Sequence, residues 1–171
     1  NKTVGRAYNG SVRRIMRKTD QYVRMNDVPC GIMEKRVFDD VLPWNPPYSD
    51  NPDYASENIT LLRELVEEDD NVTIIGGGWG VTAAISAELI GPDATIDIYE
   101  GAIEMIDVIE LTADLNSFQD QMELHHALVG PAISLRGDAT DADVVRPDDL
   151  PECDILEMNC EGAELDILQN M

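Results

Sequence analysis

A chain of 171 residues with 43% apolar side chains can bury a real core and is too apolar to stay disordered. Its net charge of −22, from 34 acidic and 12 basic residues, argues against a polyanion-binding body. The same excess points to a salt-rich cytoplasm of the haloarchaeal kind, where ions screen self-repulsion.

The charge is unevenly spread. Residues 1–36 carry nine basic and three acidic side chains, a balance of +6, and the remainder carries −28. A basic arm of this type can bind nucleic acid or anionic lipid. The acidic body would repel both, so the arm is expected against that body or against another subunit of a homo-oligomer, with no nucleic-acid partner.

From Ser11 to Met25, residues Val12, Ile15, Met16, Thr19, Tyr22 and Val23 fall on one helical face, with Arg13, Arg14, Arg17 and Lys18 outside it. Residues 37–55 hold Pro43, Pro46, Pro47 and Pro52 and read as an extended connector. The expected organisation is therefore a basic helical extension with its connector over 1–55, followed by an α/β body over 56–171.

Within the body, Ser56 is positioned to cap a helix running to about Glu68, with Leu61, Leu62, Leu65 and Val66 inward. Val72–Ile75 is an apolar strand. The glycines from Gly76 open a helix from Val81 to Ile90, stopped by Gly91-Pro92. Thr95–Tyr99 is the next strand, followed by a helix to about Asn116 and a strand over Met122–Val129. Ala132–Leu135 and Val144–Val145 flank Gly137-Asp138 and are expected to pair as a small hairpin. Asp154–Asn159 is another buried strand and Ala163–Gln169 begins a helix. Strands alternating with helices imply a Rossmann-like, doubly wound and mainly parallel sheet.

Cys30, Cys153 and Cys160 are odd in number and lack CxxC spacing, as expected of reduced thiols in a cytoplasm. No apolar run approaches the roughly 18 residues of a membrane span. The chain begins at Asn1 and stops inside a helical pattern at Met171, so it reads as a piece of a longer one, its sheet truncated at the C-terminal side.

Chemistry concentrates at Gly76-Gly77-Gly78-Trp79-Gly80 and at Glu100 twenty residues on. A glycine turn lets a ligand approach the backbone at a helix N-terminus, and a carboxylate ending the next strand can accept ribose hydroxyls. An adenosine-containing cofactor is implied. Gly78-Trp79-Gly80-Val81-Thr82-Ala83 fits G-x-G-x-x-A, as in NAD(P)-dependent oxidoreductases. The same turn and acid also suit S-adenosylmethionine (SAM), and a tight turn without a ligand is a third possibility.

Asp154-Ile155-Leu156-Glu157-Met158-Asn159-Cys160-Glu161-Gly162-Ala163-Glu164 resembles the fourth-strand signature of FkbM-type SAM-dependent methyltransferases. In that family an apolar strand leads into Lys-Ile-Asp and Val-Glu-Gly-Ala-Glu. Here Glu161-Gly162-Ala163-Glu164 is intact, Glu157 stands for the Lys and Asn159 for the Asp. The glycine loop resembles the family's Gly-Ala-Asn-x-Gly, with Ile74 where an acid often precedes it. Tyr99-Glu100-Gly101 is similar to its Phe/Tyr-Glu-Pro, and Asn116 and His126-Ala127-Leu128 follow at matching spacing. The resemblance covers about residues 55–171.

It implies SAM-dependent O-methylation of a small hydroxylated or glycan acceptor. Gly76, Gly78, Trp79, Gly80, Glu100, His126 and Ala127 would hold the cofactor. Glu161 and Asn159 would serve the reaction, and Glu164 ranks second to Glu161 as the acceptor-orienting carboxylate. At a helix start, either carboxylate can instead do no more than accept backbone N–H groups. Ile74 and Asn159 keep a non-catalytic cofactor-binding domain open. Trp79 either stacks on the cofactor or packs beneath the loop, and Asp138 ranks below Glu100 as an adenosine contact.

Asn45-Pro46-Pro47-Tyr48 matches the motif of amino-methyltransferases. Only 27 residues separate Tyr48 from Gly76, too few for the strands such a permuted order needs, so a proline-rich connector is expected. No metal is expected at His125-His126, because neighbouring strand residues point to opposite faces.

Overall fold

In the computed structural model, residues 22–32, 50–130, 138–160 and 162–171 are described. Residues 11–21 of the expected first helix, the Asn45-Pro46-Pro47-Tyr48 segment, the hairpin arm 132–135 and Glu161 lie outside them.

Two short strands, β1 (Val23–Met25) and β2 (Val28–Cys30), pair antiparallel around Asn26 and Asp27. The expected helix therefore does not continue to Met25. Asn26 and Asp27 take φ of 49° and 66°, the paired left-handed conformation of a two-residue hairpin turn. The turn chemistry overrides the helical spacing. Val23, Met25, Val28 and Cys30 are all buried in the main core, so this part of the N-terminal region packs with the body.

The body contains α1 (Ser56–Leu65), β3 (Val72–Ile75), α2 (Val81–Leu89), β4 (Ile96–Glu100), α3 (Ile103–Asn116), β5 (Met122–Val129), β6 (Asp143–Val145), β7 (Ile155–Met158) and α4 (Glu164–Gln169). The sheet runs β6-β5-β4-β3-β7, with every neighbouring pair parallel. It is the expected Rossmann-like α/β architecture. β3 is buried at all four positions, as a central strand covered on both faces should be.

One face carries the larger core. Val72, Ile74, Ile96 and Ile98 meet Ile59 and Leu62 of α1, Ala84 and Ile85 of α2, and Ile109 and Ala113 of α3. Ile74 and Ile98 are fully buried, each worth about 1.5–3 kcal/mol of transfer free energy. On the other face Ile75, Tyr99, Ala127 and Val129 pack under Ala163 and Ile167, at and within α4.

The expected strand at Val144 and Val145 is present as part of β6, which pairs parallel with Leu128 and Val129 of β5; its expected partner 132–135 lies outside the described residues. Two local expectations are corrected. In α1 the inward side chains are Ile59 and Leu62, followed by Val66 just past the helix end, while Leu61 and Leu65 are exposed. Ser56 is not the cap: Ala55 precedes the helix in a left-handed conformation, and the Ser56 hydroxyl accepts from Asn26 Nδ2 at 3.1 Å. Among the described residues, no helix is long and apolar enough to cross a membrane.

Candidate functional site

Strand order reverses between β3 and β7, since β4 extends the sheet one way from β3 and β7 the other. In parallel sheets a crevice forms at the carboxyl ends of strands on either side of such a reversal. The backbone N–H of Asn159 donates to the Ile75 carbonyl at 2.9 Å, joining the two strand tips. The Asn159 carbonyl fills the space that a Cβ on Gly76 would need, so only glycine lets the tips close this far. Asn159 is exposed at this opening.

The turn after β3 is built by left-handed backbone, with φ of 89° at Gly76, 51° at Gly78 and 74° at Gly80. Gly80 directly precedes α2, and among the described residues no side chain caps that helix. Its first turn contains no acidic residue, so its positive end is free to meet a ligand.

Glu100 ends β4 and is 7% exposed. Its Oε2 accepts the Gly78 N–H at 2.9 Å and its Oε1 accepts the Ala102 N–H at 2.8 Å. One carboxylate thus holds the glycine turn and the entry to α3 together. Each oxygen retains a second lone pair for a ligand hydroxyl.

Other expected site residues are less close. His126 is the register partner of Glu100 on β5, and its Nε2 lies 3.1 Å from the Gly101 carbonyl. Ala127 faces the opposite side of the sheet and is buried with Ile75 and Tyr99. Trp79 packs against the main core, which favours packing beneath the loop. Asn116 donates to the carbonyls of Pro29 and Thr112 at 2.8 and 2.7 Å and ties α3 to β2. Asp138 accepts the Ile103 N–H through its carbonyl at 2.9 Å and sits at the start of α3.

Glu164 Oε1 accepts the Cys160 N–H at 2.9 Å. Its own backbone N–H and that of Cys160 hold its carboxyl below the ordinary range. That is the helix-start role. Burial, reinforced by Glu164, pushes the Cys160 thiol up to about 12, so it remains protonated and a poor nucleophile at neutral pH.

Two further side chains border the turn from the segment before β3. The Tyr54 hydroxyl lies 3.2 Å from where a Gly78 Cβ would stand. Burial raises its pKa, helped by the nearby Cys30, Glu157 and Glu100 charges and opposed by a hydrogen bond from the Trp79 backbone. Asn58 donates to Oε1 of Glu157, a β7 residue that is 8% exposed. Burial raises the Glu157 pKa, opposed by hydrogen bonds from the Asn58 and Thr82 side chains. Neither Tyr54 nor Asn58 carried a sequence signal, because no motif surrounds them.

The arrangement offers a glycine-lined crevice, an uncapped helix end and a buried carboxylate that accepts hydrogen bonds. These groups can bind a nucleoside and an attached polar tail. No protein-family model matches the chain, and no curated protein matches it in sequence.

Proposed function

We propose that the chain binds SAM in the β3–β7 crevice and transfers its methyl group to a hydroxyl of a small hydroxylated or glycan acceptor. The observation that carries the reading is the hydrogen bond between Glu100 and Gly78, which couples the acidic strand end to the glycine turn. The residues Gly162, Ala163 and Glu164 following β7 support SAM through the resemblance described above. In this reading Glu100 binds the ribose hydroxyls, and Gly76, Gly78 and Gly80 admit the cofactor to the backbone. Glu161 and Asn159 serve the acceptor. Methyl transfer from a sulfonium needs an aligned nucleophile and excluded water, and a carboxylate can orient or deprotonate the hydroxyl.

A second reading, an NAD(P)-dependent oxidoreductase, is favoured by Gly80 and Ala83. A Cβ on Gly80 would lie 3.2 Å from Thr112, and Ala83 is fully buried, the close packing that G-x-G-x-x-A supplies. Calorimetry separates the two. Saturable binding of SAM or S-adenosylhomocysteine with no NAD binding is the expected result, and the converse overturns the proposal.

A further inference from the structure

The sheet face turned away from α1, α2 and α3 carries a second polar group. Strand alternation puts Thr73, Asp97, Glu123 and His125 on it together. In register Thr73 pairs with Asp97, Asp97 with Glu123, and Tyr99 with His125. Like charges at directly adjacent positions of neighbouring strands destabilise a sheet, and Asp97 and Glu123 are such a pair.

His125 Nε2 stands 3.1 Å from Asp97 Oδ1. Asp97, Glu123 and His125 each offer one donor atom, all within 4.8 Å of one another. The His125 ring is held in place by stacking on Tyr99, with centroids 4.5 Å apart and planes 15° apart. Beside them Thr73 is 1% exposed, and among the described residues its hydroxyl has no hydrogen-bond partner. A simple Asp97–His125 ion pair accounts for neither the Glu123 carboxylate facing Asp97 nor the orphaned Thr73 hydroxyl.

We propose that Asp97, Glu123 and His125 form a binding site for a divalent transition-metal ion. One imidazole nitrogen with two carboxylate oxygens is a donor set that such ions accept. Bonds of about 2.0–2.2 Å require donors roughly 3–3.5 Å apart, and the Asp97–His125 pair already has that separation. Glu123 is exposed and completes the set by a side-chain rotation. The ligands stand on two paired strands, so little backbone ordering is needed. Asp97 and His125 are 19% and 35% exposed, which leaves a route from solvent and room for water on the ion. Thr73 is the register partner of Asp97, so in this proposal its hydroxyl serves as the outer partner of that carboxylate. The site lies across the sheet from Glu100 and does not depend on the methyltransferase reading.

The test is calorimetric titration of chelator-treated protein with ZnCl₂ in 1 M KCl, where the Debye length of about 3 Å removes diffuse attraction to the acidic surface. The protein has two histidines, so their ring resonances can be followed individually by NMR. One equivalent of zinc should bind saturably and shift the His125 ring. His125→Gln and Asp97→Asn should each weaken binding by about tenfold or more, and Thr73→Val by about tenfold, the size of an outer-partner effect. His126→Gln, on the opposite face, should bind as the parent does. The proposal is overturned if binding is not saturable at 1 M KCl, if the His125 ring does not shift, or if Asp97→Asn and His125→Gln titrate like the parent.

Discussion

Glu100 accepts the Gly78 N–H at 2.9 Å, so the acidic residue ending β4 is a fixed part of the glycine turn after β3. A side chain expected to meet only a ligand therefore has a structural duty as well, since it also accepts the Ala102 N–H. Glu100→Ala leaves both donors without their acceptor. It should lower stability and weaken SAM binding, each by about 1.5–3 kcal/mol, the scale of hydrogen bonds to a charged group. Thermal melts and calorimetry on the one variant measure both effects. Full stability with lost binding would mean that the carboxylate serves only the ligand.

Gly77 has a different reason to be glycine. A Cβ there would lie 2.6 Å from Ile98 Cγ2 and 2.7 Å from Ile109 Cδ1. Gly77→Ala overpacks the floor of the turn and should cost about 1–3 kcal/mol. Ile109→Val removes one of the two clashing atoms. The double variant should therefore lose less stability than the two single losses added together, a coupling that a denaturant-melt cycle detects.

The central strands were legible because each is a short apolar run ended by a turn or helix signal, and β5 spans Met122–Val129 as expected. β6 was legible only in part: Val144 and Val145 read as a strand, but its parallel pairing with β5 did not, because a three-residue strand whose Val144 is 70% exposed shows no buried pattern that fixes its partner. The β1–β2 hairpin was hidden because Tyr22 and Val23 happen to continue a helical spacing, while the signal that decides it is the Asn26-Asp27 pair. At the site, the glycine turn and Glu100 were legible as local motifs. Tyr54 and Asn58 were not, because they reach the turn and β7 through tertiary packing of a segment without a motif. The Asp97, Glu123 and His125 group was equally hidden, since it needs the β4–β5 register.

Glu157 should make stability depend on pH. Burial raises its pKa, so the folded state favours the protonated acid. Between the ordinary carboxyl value and the raised one, the native state keeps a proton that the unfolded state has lost, and this group's contribution to stability falls as pH rises through that window. Glu157→Gln preserves an acceptor for Asn58 and removes the charge. The variant should melt above the parent at pH 7, with the difference shrinking toward about pH 4, where the unfolded carboxyl also protonates. A difference independent of pH would show that charge burial is not the cause.

The charge of −22 predicts strong salt dependence. Raising KCl from 0.1 to 1 M shortens the Debye length from about 10 to about 3 Å and screens the repulsion among carboxylates. The melting temperature should climb steeply over this range. A flat profile up to 2 M would remove the salt-adaptation reading.

Glu161 decides between chemistry and architecture at the end of β7. By sequence it follows Asn159 by two residues, where the proposed acceptor would meet the methyl group, and it precedes α4. Glu164 already supplies the helix-start carboxylate, because its Oε1 accepts the Cys160 N–H. A second carboxylate for that purpose would be redundant, which favours an acceptor-directed role for Glu161. In that role Glu161→Gln should leave SAM affinity within about threefold while lowering turnover by roughly 10²-fold or more, the size of a lost general base. If it acts only on the helix, the same change should cost about 0.3–1 kcal/mol of stability and leave turnover nearly intact. Melting temperature, SAM binding and methyl transfer measured on one variant separate the two. Unchanged transfer with lowered stability would assign Glu161 to the helix and leave acceptor orientation to Asn159.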